Sequence, residues 1–299
     1  MIRRFIYIVN PISGTRSKQS IKELIAAKTK AAGFEFEIFP SVANADYSFL
    51  HDTIKQQKIT DVVIAGGDGT INQVINHLRK FPVQFGILPF GSGNGLAFSA
   101  GIPKNTEKAL DIILKGNGQW TDAFLINDSF ACMLVGLGFD AQVAHDFAND
   151  PKRGLATYIK QTIKNFFSAK TYPFTIKLQG RELRTDAFFI SVANSNQFGN
   201  NFKIAPKASL TDGLLDIVIM TKQSKLSMLW QAALQVGGFH QVERVSLLDE
   251  KASLLYFQTE ALSISNPKKA PMHIDGDPVE TEKKLEIQLL KNCFRLVYP

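Results

Sequence analysis

Cysteine is scarce: Cys132 and Cys293 are the two in 299 residues, far apart and without CxxC or Cys/His spacing. That pattern supports neither a disulfide framework nor a zinc site, and its simplest reading is a reduced, cytoplasmic protein. Long apolar runs are missing too, since no stretch approaches the roughly 20 residues needed to span a bilayer. The apolar run at residues 5–9 is too short for a signal-peptide core, stops at Asn10 and Pro11, and reads as a first strand. No internal repeat, low-complexity tract or linker rich in Pro, Gly and Ser occurs, so the chain should be folded throughout. Nor does it hold a Gly-Lys-Ser/Thr phosphate loop, a GxGxxG dinucleotide fingerprint or the protein-kinase set.

What is present is ordinary globular material, 45% hydrophobic and 20% charged. The length exceeds that of a typical single domain and predicts two domains sharing an interface. A net charge of +7 suits an anionic partner: nucleotide, nucleic acid or anionic membrane. The basic residues are dispersed rather than clustered with aromatics on a recognisable module, which speaks against nucleic acid.

From residue 5 to about 126, short apolar runs alternate with longer amphipathic ones, the signature of βαβ units feeding a parallel sheet. Strands are expected at 5–9, 34–39, 61–65 and 84–88, and helices at 18–32, 45–57, 70–79 and 106–115. After Trp120 the texture turns to short β-rich runs without regular intervening helices, at 121–126, 130–135, 174–178, 187–193, 214–220, 242–247, 253–258, 262–264 and 285–290. This predicts an antiparallel sandwich over 127–292, with a final strand near 293–299 free to return to the first domain. Two helical segments, 155–167 and 226–236, interrupt it.

The strand at 61–65 runs straight into Gly66-Gly67-Asp68-Gly69-Thr70 and a helix-like segment. Such a turn aims backbone N–H groups and the positive end of a helix dipole at one point, which favours a phosphate. Its glycines permit close approach, and Asp68 puts a carboxylate where Mg²⁺ on a nucleotide would sit. The same string also reads as a plain tight turn capped by Thr70. The string at 86–95, with Gly91-Ser92-Gly93-Asn94-Gly95, repeats the design, and Asn10-Pro11-Ile12-Ser13-Gly14 ends the first strand. In a parallel sheet the three loops fall on one edge, where ligands of open α/β sheets bind. Phosphoryl transfer further requires a proton acceptor, and Asp68, Asp275 and Asp277 all lie in glycine-flanked turns. Alternation would point Asp275 and Asp277 the same way, although an Asp-Gly-Asp string is often a plain surface turn. His273 beside it either supports that turn or sits at the surface.

Seven elements in order resemble the diacylglycerol kinase and sphingosine kinase catalytic family, including its soluble bacterial lipid kinases. They are Asn10-Pro11 with Ser13-Gly14, the block 66–70 with Asn72, the string 89–94, the string 136–141 from Gly136 to Ala141, the string 204–208, the string 212–216, and Ile274-Asp275-Gly276-Asp277. The resemblance covers nearly the whole chain. It implies an α/β nucleotide domain like that of NAD kinases and 6-phosphofructokinases over 1–126, a β-sandwich lipid domain after it, and an active site in the cleft between them. It further implies ATP at Asn10, Ser41, Gly66, Gly67, Asp68, Gly69, Thr70, Gly91, Ser92 and Asn94. Asp277 stands where bacterial members usually carry the glutamate assigned as proton acceptor; Asp275 is next, and the sphingosine kinase branch keeps Asp68 in play. A structural Mg²⁺ would take the Asp212 carboxylate and the carbonyls of Ser209 and Leu214, where the residues alone also read as a β-turn, and Asp216 would orient that loop.

One departure stands out: bacterial members generally read Asn-Asp after the second loop, whereas Asn94 is followed here by Gly95. The metal–water contact of that aspartate does not carry over, and diacylglycerol is a less specific expectation as substrate. The expected activity is ATP-dependent phosphorylation of a lipid hydroxyl at a membrane surface met peripherally; a homodimer is among the assemblies open to the chain. The basic amphipathic stretch 152–167 suits an anionic lipid surface or the core equally, and the same holds for 226–236 with Trp230. Lys268, Lys269, Lys283 and Lys284 favour an anionic surface or form a solvated face. The rivals are an NAD kinase, whose second Asn-Glu block is not found, and a nucleotide-binding regulatory protein that has lost catalysis.

Overall fold

A computed structural model describes residues 3–14, 18–150, 161, 164–165, 169–199, 202–221 and 254–299. The expected strand at 242–247, the helix at 226–236 and most of that at 155–167 lie outside them. The chain divides into two compact units, Met1–Ala123 with Lys291–Pro299, and Phe124–Leu290.

In the first unit the elements run β1 (Arg4–Val9), α1 (Lys18–Ala31), β2 (Glu35–Pro40), α2 (His51–Gln56), β3 (Asp61–Gly66), α3 (Asp68–Leu78), β4 (Gln84–Pro89), α4 (Gly95–Ser99), α5 (Thr106–Lys115) and β5 (Gln119–Ile126), whose last residues pass into the second unit. β3 and β4 are buried along their whole length, as the near-continuous apolar runs of a central parallel sheet require. The parallel order is β4-β3-β1-β2. β1 therefore lies between β2 and β3, and the chain reverses its direction of travel across the sheet at β1. The polar start of the sheet is buried without strain because Asp61 is saturated: it accepts from Arg3, from Thr60 Oγ1 at 2.6 Å and from Gln84 Nε2 at 2.7 Å. Arg3 also donates to the carbonyls of Ile113 and Leu114, which ties α5 to β1, β3 and β4. The helix expected over 45–57 is shorter than its apolar pattern suggests. Ala45 is left-handed at φ 57° and Asp46 Oδ1 accepts the Ser48 N–H at 2.9 Å, so a local side-chain turn wins over helix there.

The second unit contains β6 (Ser129–Ala131), β7 (Leu134–Gly138), α6 (Phe139–Asn149), β8 (Tyr172–Leu178), β9 (Arg181–Ala193), β10 (Gln197–Gly199), β11 (Phe202–Lys203), β12 (Leu215–Thr221), β13 (Leu254–Thr259), β14 (Ala261–Ser265), β15 (Met272–Ile274), β16 (Asp277–Val279) and the start of β17 (Lys284–Leu296). Its pairings are antiparallel. The long β9 pairs with β8 along its first half and is flanked by β7 and β12 along its second. Inward residues such as Phe124, Val135, Ile176, Ile190, Ile217, Leu255 and Ile287 form one apolar core, the alternation expected of strands with one buried face. β17 pairs with β14 through its first residues, and its end, already in the first unit, runs parallel to β4.

Two expectations for this unit need correction. A regular helix does intervene: α6 follows β7 directly, and Gly138 at φ 89° makes the turn. The strand expected at 130–135 is interrupted at Cys132 and Met133, because the N–H groups there are taken by a carboxylate, that of Asp275, rather than by a neighbouring strand.

Candidate active site

The three glycine loops of the first unit meet. The Asn10 N–H donates to the Ala65 carbonyl at 2.9 Å and the Phe90 N–H to the Gly66 carbonyl at 2.9 Å, carrying the ladder past the strand ends. Asn10 Nδ2 donates to Thr70 Oγ1 at 2.8 Å. Thr70 is the third residue of α3, whose cap is Gly67 in extended conformation, so the reading of Thr70 as cap is replaced by a hydroxyl held towards the first loop. Gly67 and Gly91 lie back to back: a Cβ on Gly91 would sit 2.6 Å from the Gly67 Cα, and one on Gly67 would sit 3.0 Å from the Gly91 Cα. These two glycines are required by close approach, not only by turn geometry. Gly14, at φ 69°, leaves room for the Phe90 carbonyl, which a Cβ would meet at 3.2 Å.

Asn94 holds the second loop. It is left-handed at φ 55°, its Oδ1 accepts the Gly91 N–H and its Nδ2 donates to the Gly91 carbonyl, both at 2.7 Å. Gly95 behind it is buried and opens α4. Ser41 follows β2 and its N–H donates to the Val9 carbonyl at 3.0 Å, which brings it beside Asn10. Asp68 and Gly69 form the first turn of α3, and Ser92 is exposed on the second loop. All the residues expected to meet ATP thus lie at the C-terminal ends of β1 to β4. β1, where the strand order reverses, is the crevice position that open α/β sheets use for ligands.

Asp68 belongs to the first unit; Asp275 and Asp277 belong to the second. The latter two are not equivalent. Ile274 and Asp277 are cross-strand partners, and Asp275 at φ 49° with Gly276 at φ 90° makes the two-residue turn between them. Asp275 points inward and is 3% exposed. Its Oδ2 accepts the Cys132 N–H at 2.9 Å and its Oδ1 accepts those of Met133 and Leu134 at 3.0 and 2.9 Å. Cys132 Sγ donates to the same carboxylate at 3.2 Å. The expected alternation fails because it presumes extended backbone. Asp277, first residue of β16, is exposed. His273 is 1% exposed, not at the surface: its Nδ1 accepts the Gly276 N–H at 3.2 Å, and its Nε2 lies 3.7 Å from Asp140 Oδ2.

Asp212 is exposed, and its Oδ1 accepts the Leu214 N–H at 3.1 Å across Gly213 at φ 72°. One carboxylate with the Ser209 and Leu214 carbonyls is a donor set suited to a hard cation that keeps several waters. No cluster of three or more His, Cys, Asp or Glu side chains able to hold a metal occurs among the described residues. Asp216, four residues after Asp212, is buried and accepts from Tyr256 Oη and from Gln258 Nε2 at 3.3 Å; burial, then Asp216, pushes the Tyr256 phenol far above its usual range.

Fold and loops together define a parallel α/β unit with three converging glycine loops, followed in the chain by an antiparallel β unit. Residues 4–126 match the diacylglycerol kinase catalytic domain, and residues 133–280 match the YegS C-terminal NAD kinase beta sandwich-like domain. The chain belongs to the lipid kinase family built from these two domains. A relative from Shewanella frigidimarina named "Probable lipid kinase YegS-like" is 27% identical over 80% of this chain and 76% of its own. The diacylglycerol kinase of Bacillus subtilis is 24% identical over 92% and 90%. The crystal structure of a diacylglycerol kinase from Bacillus anthracis superposes with a TM-score of 0.76 at 19% identity, covering 99% of this chain and 97% of that one. No helix among the described residues is long and apolar enough to cross a membrane.

Proposed function

We propose that this chain transfers the γ-phosphate of ATP to a hydroxyl of diacylglycerol or a related lipid such as a sphingoid base. The observation that carries this reading is the Gly67–Gly91 contact, which fuses two phosphate-suited loops into one backbone cradle. Asn10, Ser41, the loop 66–70, Gly91, Ser92 and Asn94 take the nucleotide. Phosphoryl transfer asks the protein for alignment and charge, and backbone N–H groups fixed on both sides of the phosphates supply the first. Mg²⁺, when bound, supplies neutralisation of the phosphate oxygens, with Asp68 the nearest carboxylate of the cradle to hold it; a second Mg²⁺ at Ser209, Asp212 and Leu214 would stiffen that loop.

Asp277 is assigned as the proton acceptor because its carboxylate is exposed, whereas that of Asp275 is committed to three backbone N–H groups. Asp68 remains the alternative base. The protein meets its lipid peripherally from the cytoplasm, and the exposed Lys268, Lys269, Lys283 and Lys284 favour an anionic surface.

The test is transfer of label from γ-labelled ATP with Mg²⁺ into mixed micelles of diacylglycerol, sphingosine, ceramide or phosphatidylglycerol, with NAD as a soluble control. Label should enter one lipid, and Asp277→Asn should lower kcat by about 10²–10⁴-fold. Label in NAD alone would sink the lipid reading, and tight ATP binding without transfer would favour a regulatory protein.

A further inference from the structure

Beside its backbone pairing with β7, the hairpin that presents Asp277 is held by two side-chain anchors that stand out, and one is Asp275. The other starts at Gly136, the cross-strand partner of His273. With no side chain at Gly136, the imidazole of His273 lies across the β7 backbone and reaches Asp140 in the first turn of α6. A Cβ on Gly136 would sit 2.1 Å from Asp140 Oδ2 and 2.4 Å from His273 Nε2, so the pair fills the space any other residue would need. Asp140 is 7% exposed; its Oδ1 accepts the Ala141 N–H at 2.8 Å, and its Oδ2 is a buried oxygen without a hydrogen-bond partner, 3.7 Å from His273 Nε2. At the far side of the ring, Nδ1 accepts the Gly276 N–H. A nitrogen that accepts cannot carry the proton, which leaves Nε2–H facing the carboxylate.

We propose that Asp140 and His273 are positioning residues that lock the Asp275-Gly276 turn and thereby aim the Asp277 carboxylate for proton abstraction. This rests on the assignment of Asp277 as the base. Asp140 holds the ring orientation and tautomer; the ring holds the Gly276 amide; the amide fixes the turn from which Asp277 departs. The linkage is the one by which a carboxylate orients a histidine in other sites, applied here to a backbone amide rather than a substrate.

The experiment compares His273→Ala, His273→Asn, Asp140→Asn and Asp277→Asn by kinetics on the four-lipid micelle panel, thermal melting, and amide exchange of the segment 272–279. In Asn the side-chain oxygen falls near the place of Nδ1 and retains the bond to Gly276 without reaching Asp140. The expected result is faster exchange of that segment in His273→Ala, with kcat lowered about 10–100-fold and the ATP KM within about twofold, since misaimed groups cost kcat before binding. His273→Asn should restore exchange protection and part of kcat, and Asp140→Asn should fall between. Unchanged exchange in His273→Ala overturns the anchor. Fast exchange with wild-type kcat, or a kcat loss that merely follows the melting temperature and is not rescued by Asn, overturns its link to catalysis. Normal kcat in Asp277→Asn overturns the base assignment instead, while the exchange result still decides whether the pair holds the turn.

Discussion

A single carboxylate, that of Asp275, decides the path of the backbone from Cys132 to Leu134. Replacing it with alanine leaves three buried N–H groups without their acceptor, and Asp275→Ala should cost on the order of 3–5 kcal/mol, read as a lowered melting temperature. Gly91→Ala tests a different constraint. The new methyl would collide with backbone on Gly67 rather than with a movable side chain, so weakened ATP binding is expected, checked by titration, together with about 1–3 kcal/mol of lost stability from overpacking. At this scale the residue types were legible in the sequence but their assignments were not. The string Asp275-Gly276-Asp277 names a turn and two acids, yet which acid turns inward depends on φ values of 49° and 90° and on amides more than 140 positions earlier in the chain. Asp140 entered the sequence reading only as a member of the string 136–141, with no role, because its significance lies in the space left by Gly136.

Among the elements, the parallel strands were the most legible, since continuous apolar runs between glycine turns have few other readings. The break between β6 and β7 and the short α2 were not, for the same physical reason: a side-chain acceptor, Asp275 in one case and Asp46 in the other, competes for backbone N–H groups, and hydrophobic periodicity does not register it. The stretch before α2 also carries a pH response. The ring of His77 on α3 lies tilted against that of His51, centroids 5.1 Å apart, and its Nε2 is 3.7 Å from Asp46 Oδ1. Burial, and next the neighbouring His51, hold its pKa below the ordinary 6.5. The folded state therefore prefers the neutral ring. Its contribution to stability is full above pH 6.5 and is lost as the pH falls from there towards the lowered value. Melting temperature should drop on acidification through this window, and His77→Gln should flatten that part of the curve.

At the scale of the whole molecule, the proposed lipid kinase activity calls for a surface that meets lipid. The Asn266 N–H donates to the Lys283 carbonyl at 2.8 Å and Ser265 pairs with Lys284, so the turn carrying Lys268 and Lys269 lies beside the start of β17. Lys268→Glu with Lys269→Glu and Lys283→Glu should reduce sedimentation with phosphatidylserine vesicles, and should weaken its dependence on salt, while leaving neutral vesicles unaffected. The change from parallel to antiparallel pairing was readable because the hydrophobic period changes near Trp120, whereas the pairing of β9 with β7 and β12 was not, because pairings between distant segments leave no local trace. That strand has a consequence for how the chain reaches its native state. Leu178 and Arg181 pair across Gln179 and Gly180, both left-handed at φ 48° and 77°, so the β8–β9 hairpin closes over the shortest possible loop, on a microsecond scale. β7 and β12 can add only against its completed second half, from opposite directions along the chain, and the slow phase of refolding should therefore belong to their docking rather than to the hairpin.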